Sequence, residues 1–174
     1  MLNEITAHGT RRYLKATALR HLTAPILHAL FEYYVDFTEH VGPDAIESVC
    51  IFEHFSRIAA NKVPEHATAI FNRGEWFGVT LNPNWSHRVE FDDYARNWVH
   101  SVVEKLATLE KNEIASNSGE EVVGKRAYFN GGYMGNEKSS TVFGANYARL
   151  RVVKRKYDPD FAFKKWFAIE PAEA

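Results

Sequence analysis

Two long stretches of helical hydrophobic periodicity, separated by short β-branched segments, most constrain the fold of this 174-residue chain. The first stretch starts at Thr23 and Pro25, an N-cap residue and a proline suited to the first helical turn. It stops at Gly42 and Pro43. Its apolar residues recur at helical spacing: Ile26, Leu27, Leu30, Phe31 and Tyr34. The sequence therefore predicts an amphipathic helix from about residue 26 to residue 39.

The second stretch follows a pair of aspartates and is longer. Asp92 or Asp93 is expected to cap this helix, because a carboxylate at a helix N-terminus accepts hydrogen bonds from its free N–H groups. The predicted buried stripe is Ala95, Trp98, Val99, Val102, Leu106 and Leu109. Residues 111–124 are polar and rich in Ser, Asn and Gly, so a flexible loop is predicted after the helix.

β-Branched and aromatic segments predict four strands, at residues 48–55, 67–72, 76–82 and 127–130. In the third strand one set of alternating residues is apolar and the other is small or polar: Phe77, Val79 and Leu81 against Gly78, Thr80 and Asn82. This alternation predicts one apolar face and one polar, open face that could look into a pocket. Glu53 and His54 are neighbours in the first strand and therefore point to opposite faces, which argues against an acid/base pair.

A further helix is predicted over residues 140–157. Its buried residues are expected to be Phe143, Tyr147, Leu150 and Val153. Asp158 and Pro159 end this helix, because the residue before a proline is disfavoured in the α region. The helices and strands together predict an α+β fold, an antiparallel sheet with helices packed on one face.

Composition and charge limit the partners of the chain. The formal net charge is −1 with both signs interspersed, so neither nucleic acid nor a membrane surface is an expected partner. No apolar stretch reaches the roughly 18 residues of a spanning helix, and residues 1–10 lack the apolar segment of a signal peptide. The compartment therefore stays unknown. The single cysteine, Cys50, is expected as a small apolar residue in a strand, and the spacing of the histidines predicts no metal site.

Three short motifs occur in order in the last third of the chain. Residues 126–130 read RAYFN, residues 146–150 read NYARL and residues 154–159 read KRKYDP. Together they resemble the C-terminal end of berberine bridge enzyme-like FAD-linked oxidoreductases. Members of that family end with a Tyr-x-Asn strand, a helix that begins near Asn-Tyr-x-Arg-Leu, and a Lys-x-x-Tyr-Asp-Pro stop.

Earlier segments extend the resemblance toward the N-terminus. Residues 9–15 (GTRRYLK) are similar to the family's Arg-x-Tyr-x-Lys strand, and residues 67–73 (ATAIFNR) to its Ala-Thr-Ala-Phe-x-His-Arg segment. Trp85 stands where the family usually has a tryptophan at the end of the next strand. Asn72 replaces the usual histidine, and Gly131 stands where a second tyrosine is common. The resemblance thus covers nearly the whole chain.

The resemblance implies a partial substrate-binding domain at residues 1–124 and the berberine-like C-terminal segment at residues 125–174. The family's N-terminal FAD-binding domain has no counterpart in this sequence, so FAD is not expected to be held by this chain alone. The implied function is the C-terminal part of an FAD-dependent oxidoreductase, incomplete as an enzyme by itself. Such enzymes transfer a hydride from an alcohol or related C–H substrate to flavin, with oxygen as acceptor.

The resemblance also implies roles for four residues. Tyr128 corresponds to the tyrosine that exchanges a proton with the substrate, and Asn130 to a flavin contact. The two share a face of their predicted strand. A packed strand tyrosine is the alternative for Tyr128, since a phenol with a pKa of about 10 needs a stabilising neighbour to act as a base. Thr80 and Asn82 are implied to face a small-molecule substrate, with ordinary exposed strand residues as the alternative.

A second hypothesis is a non-catalytic remnant. A chain without the FAD-binding domain would expose apolar surface where the two domains meet in the family. Such a remnant could bind a small molecule or a protein, including a second copy of itself in a homo-oligomer. A flavin spectrum in the purified protein would exclude this hypothesis.

Overall fold

The computed structural model describes residues 9–69, 73–74, 76–117 and 138–173. In these ranges a three-stranded antiparallel sheet packs against two long helices, which confirms the α+β fold. The strands are β1 (Lys15–Leu19), β2 (Val49–Glu53) and β3 (Phe77–Asn82). Their order in the sheet is β1-β3-β2, so the strand that is last in sequence lies in the middle.

The first helix, α1 (Ala24–Val41), begins and ends as the sequence predicts. The Oγ1 atom of Thr23 accepts a hydrogen bond from the N–H of Ile26 at 3.5 Å, and Pro25 lies in the first turn. Gly42 ends the helix with a φ of 74°, which glycine adopts without steric cost. A short 3-10 helix then leads toward β2.

A short helix, α2 (Ile58–Asn61), and a 3-10 helix (Glu65–Ala67) lie between β2 and β3. The predicted strand at residues 67–72 is therefore wrong in its described part, while residues 70–72 lie outside the described ranges. Both edges of β3 are already paired, one with β2 and the other with β1. The resemblance implied a strand at residues 9–15, but β1 begins at Lys15. Before it, Arg12 forms an isolated β-bridge with Asn84.

The second long helix, α3 (Asp92–Asn117), follows a 3-10 turn. Asp92 lies in its first turn with helical dihedral angles, so it does not act as the predicted N-cap residue. Its carboxylate instead accepts hydrogen bonds from the indole Nε1 of Trp85 and from the guanidinium of Arg11, both at 2.7 Å. Asp92 thereby fixes the end of the sheet region to the start of α3.

Residues 111–117, where the sequence predicts a loop, belong to α3. The carboxylate of Glu110 accepts hydrogen bonds from two consecutive backbone N–H groups ahead of α1, and that of Glu113 accepts one from the hydroxyl of Thr23 at 2.5 Å. These contacts hold the end of α3 against the start of α1. They join residues far apart in the sequence, so the composition of residues 111–124 cannot predict them. The remainder of the predicted loop, residues 118–124, lies outside the described ranges.

The main hydrophobic core lies between the sheet and the two long helices. Its fully buried members are Leu19, Ile26, Leu30, Val79, Leu81, Val99, Val102 and Leu106. The predicted stripe of α3 is confirmed, since its central residues belong to this core. Each fully buried aliphatic side chain of this size stabilises the fold by roughly 1.5–3 kcal/mol.

The predicted helix over residues 140–157 is divided into α4 (Ser139–Phe143), a 3-10 turn (Gly144–Asn146) and α5 (Tyr147–Tyr157). The break lies at Gly144, which has a φ of 50°. Phe143 is buried as predicted, whereas Val153 is 43% exposed, which contradicts its predicted burial. Asp158 follows the last turn as predicted, and its carboxylate accepts two backbone N–H groups of the following segment, at 2.7 and 3.0 Å.

The C-terminal segment is bound to the connection between β2 and β3. The side-chain amide of Asn146 donates to the backbone oxygen of Glu65 at 2.6 Å, and Arg149 donates to the backbone oxygen of Thr68 at 3.2 Å. Hydrogen bonds thus cross the domain boundary expected at residues 124 and 125, which itself stays a prediction. Of the helices in the described ranges, none is long and apolar enough to cross a membrane.

Candidate functional site

The register of the sheet assigns its side chains to two faces, because residues directly opposite each other in antiparallel strands share a face. We call the side packed on α1 and α3 the helix face; it carries Lys15, Thr17, Leu19, Cys50, Phe52, Phe77, Val79 and Leu81. We call the other side the outer face; it carries Ala16, Ala18, Val49, Ile51, Glu53, Gly78, Thr80 and Asn82. The predicted common face of Thr80 and Asn82 is therefore present, on the side away from the helices.

Thr80 and Asn82 are nearly buried, with 8% and 9% of their surface exposed. The polar face is consequently covered at these positions, and the open face predicted from the alternation is wrong there. β3 is the central strand, and Thr80 is flanked on the outer face by Ala16 of β1 and Ile51 of β2. Ile51, directly opposite Thr80 on the edge strand, is 42% exposed, so the same face is accessible from β2.

The side-chain oxygen of Asn82 is buried, and no donor in the described ranges hydrogen bonds to it. A buried acceptor without a partner costs roughly 1–3 kcal/mol. Native proteins contain few such groups, and each requires a physical explanation. A ligand that donates a hydrogen bond to the Oδ1 atom would supply the missing partner.

Glu53 adds a carboxylate to the outer face beside Thr80. The Thr80 hydroxyl donates to the Oε2 atom of Glu53 at 3.4 Å. His54 lies on the helix side, where its ring stacks on Phe77 with the centroids 4.6 Å apart. The two neighbours thus point to opposite faces, as predicted. The sequence alone missed the contact between Glu53 and Thr80, because it depends on the register between β2 and β3.

A second polar cluster, at the end of β3, has its hydrogen bonds satisfied. Asn84 is 1% exposed, and its amide nitrogen donates to Thr10 at 3.1 Å and to the carboxylate of Glu47 at 3.0 Å. Its backbone N–H and C=O both bond to the hydroxyl of Ser48, at 2.8 and 3.1 Å. This cluster joins three segments of the chain, and its hydrogen bonds account for its burial without a ligand.

The thiol and Lys154 have structural roles. Cys50 lies in β2 as predicted, and burial raises the pKa of its thiol to about 11, so the reactive thiolate is scarce at neutral pH. Lys154 pairs with the carboxylate of Asp158 and donates to the backbone oxygen of Phe163 at 2.7 Å. Within the described ranges, no three His, Cys, Asp or Glu side chains gather as a metal site.

Tyr128 and Asn130, together with the predicted strand at residues 127–130, lie outside the described ranges. Their implied contacts with substrate and flavin stay predictions. The described candidate site therefore consists of the outer-face residues Glu53, Thr80 and Asn82.

The starts of the long helices do not suit the pyrophosphate of FAD. α3 begins with Asp92 and Asp93, whose charges repel phosphate, and the first turn of α1 is already capped by Thr23. A flavin or substrate ring needs only a few hydrogen bonds, and the unpaired oxygen of Asn82 is such a partner. The described residues thus fit contact with a ring, and they do not fit the phosphate part of the cofactor.

Comparisons with known proteins place this site in context. Residues 125–169 match the family described as berberine and berberine like. Over 175 residues, the chain is 31% identical to the FAD-linked oxidoreductase pgmH of Aspergillus terreus (strain NIH 2624 / FGSC A1156). This match covers 94% of the chain and 34% of the relative. The chain therefore spans about a third of the length of the curated relatives it matches.

Solved structures share the fold over nearly the whole chain. Aclacinomycin oxidoreductase superposes with a TM-score of 0.56 at 19% identity, covering 93% of this chain and 33% of that one. The grass pollen allergen Phl p 4, described as having glucose dehydrogenase activity, gives 0.53 at 16% identity, covering 99% and 35%. At these identities the likeness establishes the fold, and again only a third of each neighbour is matched.

Proposed function

Because the chain belongs to the berberine bridge enzyme-like FAD-linked oxidoreductases, we propose that it forms the substrate-side part of such an enzyme. The curated relative carries FAD in its name, and the chain corresponds to 34% of that relative's length. The first turn of α3 is acidic and would repel phosphate, which supports a separate FAD-binding domain of a longer parent protein as the part that holds the phosphates. The present chain then supplies the wall against which the substrate lies.

The observation that carries this proposal is the buried, unpaired oxygen of Asn82 on the outer face. A polar group that is desolvated and left without a partner requires an explanation, and a ligand that donates a hydrogen bond to it is one. Thr80, two residues earlier on the same face, extends the contact. In this arrangement Thr80 and Asn82 orient a small-molecule substrate by hydrogen bonds.

The proposed reaction is the oxidation of an alcohol or a related C–H substrate. When bound in the parent protein, flavin supplies the acceptor for a hydride from the substrate carbon, with oxygen as the final oxidant. Tyr128 is proposed to take the accompanying proton, and Asn130 to contact the flavin ring. With an ordinary pKa of about 10, the Tyr128 phenol would require a neighbouring cation or hydroxyl that stabilises its phenolate.

Flavin binding after domain complementation tests this proposal. The chain is purified alone and after co-expression with the remaining part of the Aspergillus terreus relative, and absorbance spectra are compared at equal FAD. We expect a flavin spectrum only in the co-expressed sample. If a soluble complex forms and contains no flavin, the proposed function is wrong.

Replacement of Tyr128 then tests the proton transfer. In the flavin-containing complex, Tyr128→Phe should keep the flavin and slow its anaerobic reduction by an alcohol substrate by roughly 100-fold or more. Tyr94→Phe is the matched control, because Tyr94 stacks on Phe37 in the α1 and α3 interface, with ring centroids 5.8 Å apart. Equal reduction rates in both variants would exclude Tyr128 from the chemistry.

A second candidate function is a non-catalytic binding module. The C-terminal segment exposes large aromatic side chains, with Tyr157 at 74%, Phe163 at 81% and Trp166 at 69%. Exposed aromatic residues favour protein contact. A stable homodimer in light scattering, without flavin in the co-expressed sample, would favour this function over the oxidoreductase.

A further inference from the structure

We propose that the C-terminal segment binds the surface of an anionic phospholipid bilayer through two short blocks of cations and aromatic residues. The blocks are residues 155–157 (RKY) and residues 163–166 (FKKW), which we call together the basic-aromatic cluster. All seven side chains are exposed, with Tyr157 at 74%, Phe163 at 81% and Trp166 at 69%. The cluster contains no outer-face residue of the sheet, so its binding is independent of the proposed substrate contact.

Charge is unevenly distributed along the chain, which the overall sum conceals. Residues 138–173 contain eight Lys and Arg and four Asp and Glu side chains, so this region is net +4, whereas the whole chain is net −1. The rest of the chain is therefore net acidic. The expectation that no membrane surface is a partner depended on the overall sum. An anionic surface would attract the C-terminal segment and repel the remainder, which would orient the protein.

The tail after α5 folds back along the helix and brings the two blocks close together. The Nζ atom of Lys154, next to the first block, donates to the backbone oxygen of Phe163 in the second block at 2.7 Å. Three residues earlier on the same helix face, the guanidinium of Arg151 donates to the backbone oxygen of Pro171 at 3.2 Å. Both blocks therefore lie near the C-terminal end of α5.

The connection between the blocks leaves the cations in excess. The carboxylate of Asp158 is engaged inside the segment, where it pairs with Lys154 and accepts the backbone N–H groups of Ala162 and Phe163. Asp160 is exposed at the turn and contributes one opposing charge. The cluster itself carries four cations, so its exposed surface remains positive.

The adjoining lysines favour a lipid surface over a protein partner. The exposed aromatic residues alone also suit protein contact, but protein interfaces are depleted of lysine because its charge loses hydration there. At a bilayer, an ammonium group stays hydrated among the headgroups while a neighbouring ring reaches the acyl boundary. The combination of Lys164 and Lys165 with Phe163 and Trp166 therefore suits phospholipid better than a protein surface.

Exposed aliphatic residues beside the first block favour lipid over nucleic acid. Val152 is 62% exposed and Val153 is 43% exposed. Proteins that bind single-stranded nucleic acid use aromatic side chains on which bases stack, and valine offers no such ring. Burial against acyl chains, in contrast, is favourable for valine as well as for phenylalanine.

Vesicle flotation of the 174-residue chain tests the proposal without any flavin. The probes are vesicles of phosphatidylcholine alone and vesicles in which about a third of the lipid is phosphatidylserine. Each cation near an anionic surface strengthens binding roughly fivefold, so we expect a preference on the order of 100-fold for the anionic vesicles. Raising NaCl from about 0.1 M to about 0.5 M should abolish most of this preference, because salt screens the attraction.

Charge substitutions identify the cluster as the binding surface. Lys164→Gln/Lys165→Gln should weaken binding to anionic vesicles roughly 30-fold. Lys105→Gln/Lys111→Gln is the matched control, because it removes the same charge from exposed positions of α3 and should change binding less than about threefold. Asp160→Asn removes the opposing charge and should tighten binding roughly fivefold. An equal loss in the two double variants would refute the cluster.

A substitution at Phe163 measures the aromatic contribution. Phe163→Ser should weaken binding about tenfold, since it removes an apolar ring from the bilayer boundary. Ile46→Ser, at a position that is 86% exposed, is the matched control and should leave binding unchanged. Phe163 is preferred to Trp166 for this test, because Trp166 has a φ of 58° and its replacement would also alter the backbone. The lipid and salt comparisons on the unsubstituted chain need no variant to fold.

Each competing occupant of the cluster gives a result of its own. Polyuridylate bound more tightly than anionic vesicles would indicate nucleic acid. A homodimer in light scattering that binds no vesicles would assign the surface to a second copy of the chain. Loss of vesicle binding in the flavin-containing complex would mean that the FAD-binding domain covers the cluster. Any of these results, or equal binding to both kinds of vesicle, overturns the proposal and leaves the flavin result unaffected.

Discussion

The two faces of the sheet differ in how completely their groups are satisfied. The helix face buries apolar side chains such as Val79 and Leu81 in the main core, and both are 0% exposed. The outer face buries a hydroxyl and an amide, and leaves the amide oxygen of Asn82 without a donor in the described ranges. Along β3, Val79 and Leu81 thus stabilise the core, whereas the alternate residues Thr80 and Asn82 are available for the proposed ligand contact. Substitutions on each face should therefore have different consequences.

The largest expected effect is loss of core packing on the helix face. Leu81→Ala should lower the free energy of unfolding by about 3 kcal/mol, because it removes apolar contacts and leaves a cavity. Urea unfolding followed by circular dichroism measures the change. Ile46→Ala, at a position that is 86% exposed, is the control and should change stability by less than about 0.5 kcal/mol. Equal effects would contradict the assignment of the helix face to the core.

The next largest effect on stability is expected at Asn84, just after β3, whose side-chain amide makes hydrogen bonds within the chain. Asn84→Ala removes a buried side chain that donates to Thr10 and Glu47 and accepts from the backbone N–H of Ser86. We expect a loss of about 2 kcal/mol in the free energy of unfolding, measured in the same urea titration. A loss below about 0.5 kcal/mol would show that the polar cluster is hydrated in solution.

A smaller change in the free energy of unfolding, of opposite sign, is expected at Asn82. Asn82→Leu replaces an amide whose buried oxygen has no donor in the described ranges with an apolar side chain, so stability should stay the same or rise by up to about 1 kcal/mol. Thr80→Val is the comparison, because it removes a hydrogen bond that is present and should cost about 1 kcal/mol. A loss above about 1 kcal/mol in Asn82→Leu would mean that the amide oxygen has a partner in the free chain.

The smallest effect on stability and a large one on reactivity are expected at Cys50. Its pKa is raised to about 11 by burial, from an ordinary value near 9, so native thiol labelling at pH 8 should be about 100-fold slower than in urea. Because the folded state keeps the thiol proton more tightly than the unfolded state, the free energy of unfolding gains a contribution that is fully present below pH 9. This contribution is lost as the pH rises toward 11. A Cys50→Ser/Ile51→Cys variant moves the thiol to the outer face. Slow labelling of that variant too would contradict the difference between the faces.

The sequence predicts the elements that have a strong internal period. The stripe of α3 and the alternation in β3 are visible in the chain and are present in the structure. In α1 the predicted stripe is present in part, because Ile26 and Leu30 are buried whereas Leu27 and Phe31 are exposed. β1, with the sequence KATAL, has little intrinsic strand propensity, and it forms because β3 offers it an edge. The extension of α3 to residue 117 depends on contacts of Glu110 and Glu113 with the start of α1, which no local pattern encodes.

The candidate site was predictable in part. The shared face of Thr80 and Asn82 follows from the two-residue period of a strand. Their burial and the contact of Thr80 with Glu53 do not, because both depend on which strands flank β3 and in which register. The family resemblance, rather than the periodicity, supplied Tyr128 and Asn130, and their roles stay predictions.

The central position of β3 has a consequence for the nascent chain. Within the part of the chain that the structure describes, β1 and β2 each pair with β3, and Lys15 must find Leu81 across 66 positions of sequence. Contacts of such long range form slowly. On the ribosome, the described pairing of β1 and β2 with β3 therefore cannot be completed until residue 82 has emerged, and a product that stops before residue 77 would lack the strand that joins them. Chaperone dependence during synthesis would be the cellular sign of this delay.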